Sequence, residues 1–229
     1  MAISVQSSAS AASTSLTLPS HQAGDLLVMM VARTTQASIT VPSGWRRYGG
    51  RSGGHGHNMM AAKRAGSSSE TSGTWTGAEG LICAVLRDSD SYAVEMGPGG
   101  MFGYTGSSIQ FGTLLDSDAT STSFNARMTN STDGARILGG YNLAGYGIGE
   151  DSPPTGFSLI DAIEIGTGSA IGLIISNSVQ TAEPGAISLS SSVALGSITG
   201  QVWASDYAPS GGGAAGGGLI NSETLIRRM

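Results

Sequence analysis

Short apolar runs alternate with small polar clusters along almost the whole chain. Runs rich in Val, Ile, Leu, Thr and Met recur every ~10–15 residues, and Gly, Ser, Pro and Asp gather between them. Helical periodicity is almost absent. The pattern predicts strands near 3–8, 14–18, 25–33, 37–41, 44–49, 57–64, 72–76 and 80–87. A second set is predicted near 101–103, 108–115, 121–128, 135–143, 157–165, 169–176, 186–190 and 193–204. DLLVMMVA (25–32) and AIGLIIS (170–176) are apolar on both faces, as a central strand covered on both sides must be. SLTL (15–18) and SITV (38–41) alternate, as a half-exposed strand does. The core is therefore expected to include Leu26, Val28, Val31, Leu81, Cys83, Val85, Ile171, Leu173 and Ile175. The fold class that follows is all-β, an antiparallel β-sandwich of jelly-roll-like type.

The order of elements repeats weakly. Pro42-Ser43-Gly44-Trp45 and Pro154-Thr155-Gly156-Phe157 are 112 residues apart, and similar runs precede and follow each. A period of this length is too long for a solenoid and suggests a duplicated β-unit. One domain over 1–207 is expected, with pseudo-repeats of about 1–95 and 96–207. No Pro- or charge-rich linker separates the halves, and each has few large apolar residues with which to close its own core. One large sandwich is preferred, with two tandem ones as the alternative. Residues 208–218 contain GGGAAGGG, a flexible linker by composition. The peptide 219–229 follows, with Leu219, Ile220, Leu225 and Ile226 apolar and Arg227 and Arg228 basic. It reads either as a frayed tail or as an anchor that orders on a partner.

Composition narrows the function classes. The chain has 229 residues, 36 of them Gly and 35 Ser, and only 12% are charged. A hydrophobic share of 39% and a net charge of −5 argue against wholesale disorder, which needs low hydrophobicity and high charge. Lys63 is the only lysine, and Arg46, Arg47 and Arg51 form the nearest approach to a basic cluster. Phosphate binding needs more than that, so no nucleic-acid partner is expected. The one cysteine, Cys83, lies in an apolar run and cannot form an intrachain disulfide. No run of about 18 apolar residues is present, and the first 20 residues lack a basic segment followed by an apolar one. Neither membrane insertion nor a signal peptide is expected.

Candidate chemistry is sparse. His55 and His57 could face one side of a strand, but no Cys, Asp or Glu lies within ten residues to complete a metal site. A Gly-rich loop entering a strand is the simpler reading, and His21 reads as surface. Asp88-Ser89-Asp90 and Asp116-Ser117-Asp118 have calcium-loop spacing without the remaining ligands, so solvated turns are expected. No G-x-S-x-G elbow occurs, and most carboxylates sit in predicted turns. Trp45, Trp75 and Trp203 are expected in the core rather than as sugar-stacking platforms. No catalytic residue, metal or cofactor is expected.

The succession AGDLLVMMVA, TVPSGWRR, a strand ending Arg64-Ala65, TWTGA and a strand ending Arg87-Asp88, with a second P-x-G-aromatic later, resembles one family over roughly residues 14–206. It is similar to β-sandwich virion structural proteins of tailed bacteriophages and prophages, of the minor tail or tail-fibre type. The resemblance implies a non-enzymatic virion component, made in the host cytoplasm, whose partners are copies of itself and other virion proteins. It leaves open tail, fibre, spike or head decoration. The alternative is a lectin-like module binding a host-surface glycan. A hydrolase is the third class, and needs two carboxylates ~5–9.5 Å apart.

Overall fold

A computed structural model describes residues 3–53, 56–88, 93–98, 123–125, 136–144, 153–166, 168–180, 186–188 and 195–205. Every regular element among them is a strand. In chain order these are β1 (Ile3–Ala11), β2 (Leu26–Arg33), β3 (Arg46–Gly53), β4 (Gly56–Arg64), β5 (Gly80–Asp88) and β6 (Ala93–Pro98). They are followed by β7 (Ser123–Asn125), β8 (Arg136–Ala144), β9 (Phe157–Ile165), β10 (Ser169–Ser176), β11 (Ala186–Ser188) and β12 (Leu195–Ser205). All pairings are antiparallel. The first sheet has the order β1-β5-β2-β4-β3, the second β6-β12-β8-β10-β9, and β11 pairs β7 in a small third sheet.

The unbroken apolar run of β2 follows from burial on both faces. Leu26, Val28, Met30 and Ala32 point into a cluster that also holds Leu138, Ile165, Ile171, Leu173 and Ile175 of the second sheet. Leu27, Met29 and Val31 point the other way, onto Leu16, Ile39, Trp45 and Trp75. All nine residues expected in the core are buried. Many contacts between the sheets come in pairs, β1 on β9 and β3 on β6, β5 on β9 and β3 on β12, β4 on β12 and β5 on β10, β4 on β8 and β2 on β10, while β6 also meets β5 and β2. Gly80, at the start of β5, is a point of close approach between the sheets. A methyl built there would stand 2.2 Å from Ile165 Cγ2 and 3.1 Å from Ile171 Cδ1. Arg136 of β8 ties one sheet to the other. Its Nη1 donates to Ile3 O at 2.6 Å and its Nε to Ser176 O at 2.7 Å.

Three expected strands take a different form. Segments 14–18, 37–41 and 72–76 join no ladder. They lie as a cover over the outer face of the first sheet, held by isolated bonds. Trp75 N donates to Thr14 O at 2.7 Å, Leu16 N to Ser72 Oγ at 3.0 Å and Thr40 N to Thr76 O at 3.0 Å. Strand β6 was not expected, and β7 is the described part of the strand predicted at 121–128. The strands predicted at 101–103 and 108–115, the linker and the C-terminal peptide lie outside the described residues. Both P-x-G-aromatic motifs are turns that launch a strand. Trp45 N donates to Pro42 O at 3.3 Å and Phe157 N to Pro154 O at 2.9 Å. Gly44 (φ 84°) and Gly156 (φ 86°) take the left-handed position that such a turn gives its third residue.

Candidate functional site

Most residues that could carry chemistry are committed to the fold. Asp25, at the foot of β2, accepts from Arg87 Nε at 2.6 Å, Arg87 Nη2 at 2.7 Å and Gln22 N at 2.8 Å. Burial would raise this carboxyl, but the bonds from Arg87 and Gln22 outweigh it and hold the group below the usual carboxylate range. Glu79 accepts from Thr34 N at 2.8 Å and Thr34 Oγ1 at 2.7 Å, tying the start of β5 to the end of β2. Arg46 lies 5.3 Å from the centre of the Tyr48 ring, and Arg47 Nη2 donates to Gly50 O at 2.8 Å.

The histidines divide. His57 sits in β4 between Arg33 and Ser52 in register and is buried. Burial pushes its imidazole pKa down, and the positive charges of Arg47 and Arg33 act in the same direction. His55 lies outside the described residues, and no group of three metal-ligating side chains occurs among the described ones. Asp88 is a buried strand end rather than a solvated turn. It pairs in register with Ile3, where the neighbouring edge strand shuts off water. The rest of both D-x-D motifs lies outside the described residues.

Trp45 and Trp75 are core residues in edge-to-face contact, with centroids 5.4 Å apart and planes at 62°. Neither offers an exposed stacking face. The Trp203 side chain lies outside the described residues. Cys83 is fully buried, and burial pushes its thiol pKa far up. Among the described residues no helix is long and apolar enough to cross a membrane. The apolar and basic side chains of 219–229, the expected partner-binding residues, also lie outside the described residues.

What remains is a groove in the cover over the first sheet. Segments 15–21 and 68–73 form its two walls, and it encloses about 680 Å³. Neither segment carries a recognisable motif, and they are some fifty positions apart, so sequence reading missed the site. Glu70 bridges one wall. One carboxylate oxygen accepts from Gly66 N at 2.9 Å and the other pairs with Lys63 Nζ. The Lys63 bond holds the Glu70 carboxyl below its usual pKa, and the Gly66 bond helps. His21, expected on the surface, is half-buried in the other wall. Its Nδ1 lies 2.7 Å from Pro19 O, and its Nε2 is buried without a hydrogen-bond partner. Comparison with known protein families, curated proteins and solved structures finds no match to this chain.

Proposed function

We propose that the chain is a structural component of a bacteriophage virion, without enzymatic activity. In this reading it is a β-sandwich of two duplicated halves that assembles with itself and with neighbouring virion proteins. One observation carries the reading: the two sheets have the same strand order once β1, β2, β3, β4 and β5 are matched with β6, β8, β9, β10 and β12. The covers match too. Segments 14–18 and 72–76 touch each other from the β1–β2 and β4–β5 connections, while β7 and β11 pair from the β6–β8 and β10–β12 connections. Under this matching, each of the four paired inter-sheet contacts turns into its mate when the halves are exchanged, while the contacts of β6 with β5 and β2 have no counterpart. That partial reciprocity fits a two-fold, self-complementary interface. The chain thus has the layout of a fused dimer of a self-associating module, which suits an assembly subunit.

The surface supports the same reading. Only 12% of residues are charged, so few long charged side chains must be desolvated when copies meet. Among the described residues, Asp25, Glu70 and Glu79 are each held by a cation or a backbone donor rather than poised for acid–base work. The resemblance of AGDLLVMMVA, TVPSGWRR and TWTGA to phage tail proteins supplies the virion context.

The test is particle association. The protein should band with purified particles in a density gradient and form a defined oligomer by mass photometry. Its absence from particles, while abundant in the same lysate, would refute the reading. Within it, Leu219, Ile220, Leu225, Ile226, Arg227 and Arg228 form an anchor to a neighbouring subunit. Deleting 211–229 should weaken assembly and leave the melting temperature unchanged.

A further inference from the structure

We propose that the groove between segments 15–21 and 68–73 is a binding site for a neutral saccharide. Its volume of about 680 Å³ falls within the range of small-ligand sites. Its polar lining is mostly hydroxyl. Ser15, Thr17, Ser20, Ser68 and Thr71 are exposed along it. Ser72 is instead consumed, accepting from Leu16 N at 3.0 Å and donating to Gly73 O at 2.9 Å. Leu18 and Pro19 add an apolar stretch to the same wall.

His21 gives the site its point of attachment. A carbonyl oxygen can only accept, so the ring must donate from Nδ1 to Pro19 O. That leaves Nε2 unpartnered in the groove wall, an arrangement proteins ordinarily avoid, and closed to a water-sized group in the empty groove, so a ligand engages it only as the wall shifts to admit it. A hydroxyl satisfies Nε2 in either protonation state, because it can donate to the neutral ring or accept from the charged one. A sugar ring supplies several such hydroxyls, together with an apolar C–H face for Leu18 and Pro19.

The electrostatics favour a neutral ligand. No lysine or arginine lines the groove, and its one carboxylate, Glu70, is already neutralised by Lys63. A phosphate or sulfated glycan would find no permanent cation, and an amine would have to displace Lys63. The site does not depend on a virion role, since it is built within one chain.

The experiment is a glycan array probed with the full-length chain, followed by calorimetry on the best saccharide. His21→Phe keeps the ring volume and removes both nitrogens. It should weaken binding at least tenfold. Thr71→Arg places a long side chain across the opening and should abolish binding. Leu159→Ser, on an exposed position of β9, should change nothing. Melting curves accompany each variant, and if His21→Phe is unfolded the exposed Thr71 variant decides alone. The proposal is overturned if the full chain binds no saccharide above background. It is equally overturned if a saccharide binds with unchanged affinity to the folded groove variants.

Discussion

Gly80→Ala should destabilise the protein through one methyl group. Gly80 has no left-handed φ, so backbone conformation is not the obstacle. The obstacle is Ile165 Cγ2, 2.2 Å from where the new carbon would stand, with Ile171 Cδ1 at 3.1 Å. Carbon atoms prefer ~3.5–4.0 Å, so the sheets must part or Ile165 must leave its rotamer. Overpacking of this kind costs ~1–3 kcal/mol. Alanine also removes freedom from the unfolded chain, worth ~0.4–1 kcal/mol in the opposite direction. The net loss is then ~1–2 kcal/mol, a melting shift of roughly 2–8 °C for a chain of this size. The cause is separable by a double-mutant cycle. Ile165→Ala alone should cost ~2–5 kcal/mol. In that background the methyl at position 80 has room, and Gly80→Ala should become neutral or mildly stabilising, giving a coupling of ~1–3 kcal/mol. Urea titrations of the four proteins measure it. A Gly80→Ala protein that melts within a degree of wild type, or an equal cost in both backgrounds, would refute the close-approach argument.

Other substitutions probe separate parts of the structure. Leu173→Ala, in fully buried β10, should cost ~2–5 kcal/mol in chemical denaturation, and a loss under ~0.5 would place that strand outside the core. Asp25→Asn should cost ~1–3 kcal/mol, because it removes the charge opposite Arg87 at a site closed to water. The native Asp25 carboxyl sits below its unfolded value of about 3.9. Its contribution is therefore complete above that pH and is lost as pH falls through the folded value. A pH series of melting curves should show an acid limb that Asp25→Asn flattens. Cys83 should resist thiol reagents in the native protein and react fully in denaturant, and rapid native labelling would contradict its burial.

The sequence announced the buried strands because two-sided burial leaves an unmistakable mark. From Leu26 to Ala32 successive residues of β2 face one apolar cluster and then the other, and β10 is buried at every position with no polar residue between Ala170 and Ile175. Alternation proved less specific. In SLTL (15–18) and SITV (38–41) it reports which side meets the core, and it does so equally for a ladder strand and for a segment laid across a sheet. Strand β6 has too few apolar residues to stand out, and its Gly97 and Pro98 read as a turn. His21 was misplaced for a different reason. Its turn context is that of a surface residue, and it becomes part of a groove wall only because segment 68–73 forms the facing wall, which no local pattern could foresee.

The cover of the first sheet links core and groove. The best stretches of the phage resemblance supply Leu27, Met29, Val31, Trp45 and Trp75, all members of the cluster under this cover. Those stretches therefore record how the sheet is closed, and likeness in them would speak for architecture before it spoke for role. The role must be written in positions that closure does not use, and the alternation in SLTL separates the two sets. Leu16 points down and is buried, while Ser15 and Thr17 point out into the groove. The backbone that delivers those hydroxyls is fixed from below, by Leu16 in the core and by its N–H on Ser72 Oγ at 3.0 Å. A ligand site built this way is held rigid by the same contacts that stabilise the fold. Its outward residues can change without cost to the core. Within one architecture, the hydroxyls at 15, 17, 68 and 71 are therefore where relatives of different specificity should differ first.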